Sequence, residues 1–363
     1  MVQNDVAAEK ADDEVSRMPG VSYVVPVLNE EKYIADSIRA ILAQDYNGAQ
    51  ELILALGPST DRTEDIVREI ASTDERITVV TNPRVDIPAG LNIAISRSTQ
   101  PIVIRVDAHS ELSANYTTDG VRSLLDNGVA NVGGIMHARG RTPFQNAIAR
   151  AYNSPFGLGG AAYHGSGEAG PAESAYLGIF RREVLHEVGL YDESIRRGED
   201  WELNLRIRQA GHTVWFDPAL SVTYWPRDTW GNLARQFAAT GTWRAELVRR
   251  YGGKNPWRFF VPPLLVLTWF LSLLIAGLQL TGVFSPLSSA LASVVYAGPA
   301  LYLLALIVVS LRMPGPLTLR DRFYSLVVFA TMHLSWGFGF LVGIVRGGHH
   351  SVDTSRTTAP RER

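Results

Sequence analysis

The chain has 363 residues, 46% of them hydrophobic and 19% charged, with a formal net charge of −2. That length accommodates about two domains, and the near-neutral balance gives no electrostatic case for nucleic acid as a partner. There is no cysteine, which removes disulfides and thiolate zinc sites.

The first eighteen residues carry Asp5, Glu9, Lys10, Asp12, Asp13 and Glu14 around no apolar core, so residues 1–18 read as a disordered tail and not as a signal peptide. Val21 to Pro26 is a short β-branched strand stopped by proline, and Asn29 can cap the helix that follows. In Glu30 to Gln44, Ile34, Ile38, Ile41 and Leu42 recur at helical spacing and predict one buried face. Glu51 to Leu56 is a second strand. Gly57-Pro58-Ser59-Thr60 turns the chain, and Asp61 with Glu64 resembles a capping pair for a helix bearing Ile66, Val67 and Ile70. Ile77 to Val80 is a third strand, Gly90 to Ser98 a third helix, and the run beginning at Ile102 a fourth strand. Strands alternating with helices predict an α/β fold with a parallel, doubly wound sheet. Ligands of such sheets bind at the carboxyl ends of the strands, where Pro26 to Glu30, Gly57 to Asp61 and Asp107 to His109 would converge. No G-x-G-x-x-G follows the first strand; the stretch Gly157 to Ala162 fits that pattern only with alanine last and reads as a loop.

The fourth strand ends in Asp107-Ala108-His109. Side chains i and i+2 of a strand point the same way, so a carboxylate and an imidazole there can hold a divalent ion, and these donors suit Mn²⁺-like metals. The competing reading is ordinary turn chemistry. Further on, Asp200 opens a helix containing Leu203, Leu205 and Ile207. An acidic residue at that position is either an N-cap or a general base facing a cleft, and position alone does not separate the two.

From Phe259 to Leu311 there is no Asp, Glu, Lys or Arg, and a second such run extends from Phe323 to Val345. A crossing helix needs about 20 apolar residues, so the first run supplies two crossings and the second one more. Residues 259–345 therefore predict about three transmembrane helices after a soluble region at 19–226. Between them, 227–258 is rich in tryptophan and cations. Trp230, Leu233 and Phe237 share a helical face there, suggesting a helix in the membrane interface. Arg249, Arg250, Lys254 and Arg258 before the first crossing, with Arg312, Arg320 and Arg322 between the second and third, place the soluble head in the cytoplasm of a cell-membrane protein. The polar tail 346–363 carries Arg346, Arg356, Arg361 and Arg363, which three crossings would put outside, so the third segment is alternatively re-entrant. Gly339 to Gly343 is a G-x-x-x-G read as a packing motif, and His333 as a hydrogen-bonded packing residue.

Taken in order, Pro26-Val27-Leu28-Asn29-Glu30, Ser59-Thr60-Asp61, Asp107-Ala108-His109 and Glu199-Asp200 resemble the family 2 inverting glycosyltransferases of GT-A fold. With Arg181-Arg182-Glu183, Gly189 to Glu193 and the hydrophobic tail, the chain is most similar to the succinoglycan and exopolysaccharide subgroup. The resemblance implies a mostly parallel GT-A sheet and a metal-dependent enzyme of cell-envelope or exopolysaccharide synthesis. It would move a hexose from a nucleotide sugar, UDP-linked by analogy, to a hydroxyl of a lipid-linked, polyprenyl acceptor. It assigns Pro26, Glu30, Asp61 and Asp107 to the nucleotide sugar. Asp107 and His109 go to Mn²⁺ or Mg²⁺, and Asp200 to the catalytic base. Glu199, Trp201, Arg182, Gln236, Trp243 and Arg244 go to the acceptor side, although the last three depart from Q-x-x-R-W spacing. Where relatives carry an acidic residue that reads uracil, this chain has Leu56, which accepts no hydrogen bond from a base; Arg62 replaces a usual glycine. A polyprenyl-phosphate glycosyltransferase and a non-catalytic nucleotide-sugar binding module are the rival readings.

Overall fold

The computed structural model describes residues 18–158, 167–252, 255–282 and 289–348. It divides into two compact units. One, here the head unit, comprises Met1–His137, Ser166–Glu193 and Glu199–Tyr224; the other, the helical unit, comprises Ala138–Gly165, Ser194–Gly198 and Trp225–Arg363. The expected 1–18 tail lies almost wholly outside the described residues, as do Lys254, most of the Gly157 to Ala162 stretch and the end of the basic tail.

In chain order the elements are β1 (Val21–Val27), α1 (Ile34–Leu42), β2 (Gln50–Leu56), α2 (Thr63–Ala71), β3 (Ile77–Thr81), α3 (Ile87–Arg97), β4 (Ile102–Arg105), β5 (Glu111–Leu112), α4 (Tyr116–Asp126) and β6 (Asn131–Ala138). There follow α5 (Pro143–Tyr152), β7 (Gly170–Pro171), β8 (Tyr176–Arg181), α6 (Arg182–Glu187), α7 (Glu199–Gln209), β9 (Val214–Tyr224) and α8 (Trp230–Tyr251). The sheet order is β3-β2-β1-β4-β8-β6-β9-β5, with β7 on β9. The four strands expected from the sequence pair in parallel, β1 with both β2 and β4, and β2 with β3. Strand β8 then runs antiparallel to β4, so the mixed sheet changes sense at β4.

Both faces of the parallel half are covered, which is why its strands read as apolar runs without alternation. In β1, Val21, Tyr23, Val25 and Val27 join one buried cluster with Ile34, Ile38 and Ile41 of α1, while Val24 joins the other with Leu91 and Ile95 of α3.

Helix starts differ from the sequence reading. Helix α1 begins at Ile34, after a turn over 30–33. Asn29 does not cap it: its backbone is left-handed, φ 54°, and its Oδ1 accepts the Thr60 N–H at 2.7 Å. Helix α2 begins at Thr63, whose N–H donates to Asp61 Oδ1 at 3.0 Å, whereas Glu64 is drawn to Arg68 at 2.7 Å. Helix α3 begins at Ile87, three residues earlier than expected, with Pro88 in its first turn, where its missing N–H costs nothing.

The helical unit continues with α9 (Val261–Leu280), α10 (Ser289–Arg312) and α11 (Leu319–Arg346). Three helical segments, Trp257–Leu280, Val294–Arg312 and Leu319–Arg346, are long and apolar enough to cross a membrane. Helix α11 lies directly on α8. A Cβ on Gly339 would sit 2.0 Å from the Ala238 carbonyl oxygen, one on Gly343 2.4 Å from that of Thr242, and one on Gly241 2.0 Å from that of Trp336. The G-x-x-x-G thus acts as a packing face, and Thr242 Oγ1 donates across it to the Gly339 carbonyl at 3.0 Å. Leu233 and Phe237, read as one side of an interfacial helix, are buried, while Trp230 stays half-exposed and stacks on Phe144 at 6.2 Å between ring centres.

Gly339→Ala should lower the thermal midpoint in detergent, because overpacking a backbone-to-backbone contact costs about 1–3 kcal/mol. Gly277→Ala on α9, where a Cβ meets nothing within 4 Å, should leave the midpoint unchanged or raise it, since alanine is the better helix former by about 1 kcal/mol.

Candidate active site

Parallel pairing of β1, β2 and β4 brings the loops after them to one edge of the sheet. The first two loops are sewn together. Asn29 N–H donates to Ser59 Oγ at 3.0 Å, Glu30 N–H to Thr63 Oγ1 at 2.7 Å and Glu31 N–H to Asp61 Oδ2 at 3.2 Å, and Arg62 N–H returns to Glu31 Oε2 at 3.1 Å. Asp61 is thereby a structural tie. Although burial acts to raise it, hydrogen bonds from the Thr63 side chain and backbone and from the Glu31 backbone hold its carboxyl below the ordinary value. Pro26 is the penultimate residue of β1, opposite Ala55. Leu56 is buried at the end of β2.

Strand β4 stops at Arg105, and Asp107, Ala108 and His109 lie in a turn closed by Ser110 N–H on the Asp107 carbonyl at 2.9 Å. The strand argument for one shared face therefore does not apply. The two side chains meet different partners: Asp107 Oδ1 lies 3.2 Å from Arg105 Nη2, and His109 Nδ1 lies 2.9 Å from Glu30 Oε1.

Arg105 is the residue the sequence reading missed. Its side chain is 5% exposed, and a buried guanidinium must find anions. It finds three. Nη1 donates to Asp200 Oδ1, and Nη2 reaches Glu199 Oε1 at 3.1 Å as well as Asp107. Glu199 and Asp200 both stand in the first turn of α7; the Asp200 carboxylate is held by Arg105 and is not spent as a simple cap. Tyr191 closes the group, its ring centre 5.9 Å from Arg105 Cζ and its hydroxyl donating to Asp200 Oδ1 at 3.4 Å. The signal in the sequence was a lone cation in the apolar strand Ile102-Val103-Ile104-Arg105-Val106.

One guanidinium among three carboxylates leaves the cluster with excess negative charge. Arg105 is held well above its ordinary value: burial opposes its charge, but Asp200, Asp107 and Glu199 outweigh that. Asp200 moves the other way for a carboxyl, pushed up to about 7 first by burial and then by Glu199 and Asp107, against the pull of Arg105. A carboxyl poised there can take a proton near neutral pH.

Among the described residues no three His, Asp or Glu side chains form a ready metal cage. The donors nonetheless fit a metal of the Mn²⁺ or Mg²⁺ type, because such ions are commonly held by one or two protein ligands plus substrate phosphates. Glu30 on His109 Nδ1 fixes the ring and leaves Nε2 to ligate, the usual carboxylate support of a metal-binding imidazole. Asp107 would supply the oxygen.

Of the other expected site residues, Trp201 is buried on α7. Arg182 is not brought to the cluster. Because β8 runs antiparallel to β4, Arg181 pairs with Ile102, and Arg182 Nη1 donates to the Thr99 carbonyl at 2.8 Å, at the amino end of β4 and the far end from Asp107. Gln236, Trp243 and Arg244 belong to α8 in the helical unit, where Trp243 is buried and Arg244 Cζ lies 4.2 Å from the centre of the Phe259 ring.

Comparison with known proteins matches residues 22–189 to Glycosyl transferase family 2. The succinoglycan biosynthesis protein ExoA of Rhizobium meliloti (strain 1021) is 33% identical over 226 residues, covering 61% of this chain and 68% of that protein. A dolichyl N-acetyl-alpha-D-glucosaminyl phosphate 3-beta-D-2,3-diacetamido-2,3-dideoxy-beta-D-glucuronosyltransferase of Methanococcus voltae is 22% identical over 338 residues, 90% of this chain and 98% of that one. Among solved structures, the mannosyltransferase PcManGT from Pyrobaculum calidifontis, in complex with GDP-Man and Mn²⁺, superposes with a TM-score of 0.59 at 19% identity over 91% of this chain and 88% of that one, a likeness of GT-A fold.

Arg105→Met should destabilise the head by about 3–5 kcal/mol, the cost of stripping one partner from a buried ionic group. The sign with pH follows from Asp200. Its folded value, raised from 3.8 to about 7, makes its contribution to stability complete at low pH and lost as pH rises through 7. Without Arg105 the charged form loses its attraction, so the drop in denaturation midpoint should be larger at about pH 8 than at about pH 5.5.

Proposed function

Because the chain belongs to Glycosyl transferase family 2, we propose that it is a membrane-anchored, inverting glycosyltransferase. It moves a hexose from a nucleotide sugar to a hydroxyl of a lipid-linked saccharide in cell-envelope or exopolysaccharide synthesis. The observation that carries this reading is the Arg105 cluster. It holds one carboxyl, Asp200, with its value near neutrality, at the edge where the nucleotide-side loops gather.

In this mechanism Asp200 takes the proton of the acceptor hydroxyl as that oxygen attacks the anomeric carbon and the nucleoside diphosphate leaves. One base and no protein nucleophile means a single displacement, hence inversion. Arg105 orients Asp200 through Nη1, while Glu199 anchors the guanidinium through Nη2. A divalent ion held by Asp107 and His109 would supply Lewis-acid stabilisation of the departing diphosphate. Glu30 sets the ring of His109, while Asp61 and Asn29 keep the first two loops in register for the nucleotide. With Leu56 in place of an acid, either backbone groups read uracil or the donor carries another base; UDP is the donor favoured by the resemblance.

The relatives support this reading of the acceptor. The names of both the R. meliloti and the M. voltae proteins speak of polysaccharide or lipid-phosphate-linked glycan assembly, and the apolar helices here suit a substrate that stays in the membrane. The head is assigned to the cytoplasm, where nucleotide sugars are available and where Arg249, Arg250 and Arg258 lie on the favoured side.

Detergent-purified protein should release nucleoside diphosphate from one member of a panel of UDP, GDP and TDP sugars in the presence of Mn²⁺ or Mg²⁺, and lose that activity with EDTA or in Asp107→Ala. Asp200→Asn should lower transfer to a hydroxyl acceptor about 10²- to 10⁴-fold, as loss of a general base does, with donor affinity kept. A small loss on that substitution would instead favour transfer to a polyprenyl phosphate, whose oxygen needs no base.

A further inference from the structure

Hydropathy offers three crossings, yet α11 is packed unlike α9 and α10. Within their apolar windows 11% of the Trp257–Leu280 segment and 17% of Val294–Arg312 are buried inside the protein, against 39% of Leu319–Arg346. Helices α9 and α10 form an antiparallel hairpin: Ser272 Oγ donates to the Val295 carbonyl at 2.7 Å, and earlier on α9 and later on α10 a Cβ on Gly298 would come 3.3 Å from Thr268 Cβ. The first residues of α9 and the last of α10 therefore lie at the same end.

Helix α11 meets the hairpin at that end. A Cβ on Gly337 would come 2.3 Å from the Pro262 carbonyl oxygen, and Phe340 packs edge-on against Phe260 at 5.8 Å. On α10 the contacts come from the second half, with Tyr302 Oη 3.1 Å from His333 Nδ1 and Arg322 Nη1 donating to the Ser310 carbonyl at 2.8 Å. A helix of 28 residues is about 42 Å long. Lying alongside the hairpin it would cover the outer halves too, but there Leu273, Leu280, Leu291 and Val294 are exposed.

The other side of α11 is lined by polar helices along its length. At its start, Arg150 of α5 donates to Ser325 Oγ at 3.3 Å and lies 3.7 Å from Asp321. At its end, Gly348 N–H donates to Glu246 of α8 at 3.2 Å. Between these, α8 runs parallel to α11, Ala238 against Gly339 and Thr242 against Gly343. Arg235 stands about one turn before Ala238, hence level with the centre of the apolar run Phe323 to Val345, and it is exposed. Were α11 to cross, that guanidinium would sit at the bilayer centre, at a cost of at least about 2.5–3.5 kcal/mol. Phe323, Phe338 and Val345, all exposed, fall on one face of α11, turned away from Gly339 and Gly343, which meet α8, as a helix lying in an interface requires.

We infer that only α9 and α10 cross the bilayer and that α11 lies in the interfacial plane across the end where α9 begins and α10 finishes. Its apolar face rests on the acyl boundary and α5 and α8 line its aqueous side. The inference rests on the membrane-anchored reading above and adds the number of crossings and the lipid surface that α11 occupies. It also keeps Arg346, Arg356, Arg361 and Arg363 on the same side as Arg249, Arg250 and Arg258, which three crossings would not.

The chain has no cysteine of its own, so single cysteines report directly. Arg235→Cys, Thr281→Cys and Ser351→Cys would each be treated, in sealed membrane vesicles of known orientation, with a membrane-impermeant maleimide. Arg235→Cys and Ser351→Cys should label from one face and Thr281→Cys from the other. Labelling of Ser351→Cys from the Thr281 face would establish three crossings and overturn the inference, as would an Arg235→Cys that labels only after detergent. Labelling of all three from one face would remove the α9–α10 crossing and with it the membrane-spanning anchor itself, a failure distinct from a third crossing.

Discussion

A single buried guanidinium governs the chemistry of the head. Arg105 sits at the end of β4, the strand with a parallel neighbour on one side and an antiparallel neighbour on the other. A cation at the carboxyl end of that strand, the edge where open α/β sheets bind ligands, draws in carboxylates from two distant stretches, Asp107 just after the strand and Glu199 with Asp200 at the start of α7. Burial first, and then repulsion from Glu199 and Asp107, raise Asp200 against the pull of Arg105. An arginine is suited to this role where lysine is not: its planar fork serves Asp200 from one nitrogen and Glu199 and Asp107 from the other, and it cannot escape by losing its proton.

The same logic separates what the sequence disclosed from what it hid. Val21 to Val27, Gln50 to Leu56 and Ile102 to Arg105 announce themselves because strands buried on both faces must be apolar throughout. Ile34, Ile38 and Ile41 mark α1 because a helix that covers a sheet buries one stripe. The starts of α1 and α2 were misread for one reason. Asn29 and Asp61 look like caps, but their oxygens are taken by the backbone of another loop or by a residue nearer than the one expected. Such choices are tertiary, and local spacing does not contain them. Arg182 misled similarly: adjacency in sequence to a strand says nothing about which end of the sheet that strand delivers it to, and the antiparallel return of β8 sends it to the amino end. Arg105 was hidden in plain view, since a charge within an apolar strand can be read as bound to partners but not to which ones.

Reciprocal bonding between the first two loops also bears on donor choice. Four backbone N–H groups from Asn29, Glu30, Glu31 and Arg62 are taken up by side chains of the opposite loop, so the edge proposed to receive the nucleotide is tied together by the protein's own hydrogen bonds. An edge tied in advance spends little ordering entropy on binding, and discrimination among bases falls to whatever fixed groups face the ring. With Leu56 apolar and buried, side-chain hydrogen bonding at that position is unavailable to the base. On the proposed reading, specificity would come from shape and from the backbone, or the donor would carry a base other than uracil.

Helix α11 illustrates a limit of hydropathy as a guide to topology. A stretch of apolar residues is required by a bilayer, but it is equally required by a helix clamped between other helices, since both environments exclude water. Composition cannot tell the two apart; packing can. In α9 and α10 the large side chains point outward, with Phe270, Leu273 and Leu301 more than half exposed, which only a lipid environment makes tolerable. In α11 the small residues Gly337, Gly339 and Gly343 point into protein backbone, and Val328, Phe329 and Met332 are buried. A helix whose glycines serve α8 and whose ends are held by Arg150 and Glu246 is fixed by protein on the side that carries the charges. With α11 in the interfacial plane, as inferred above, the tryptophan- and arginine-rich α8 would lie at the level of the lipid headgroups, where the phosphate of a membrane-borne acceptor would also lie.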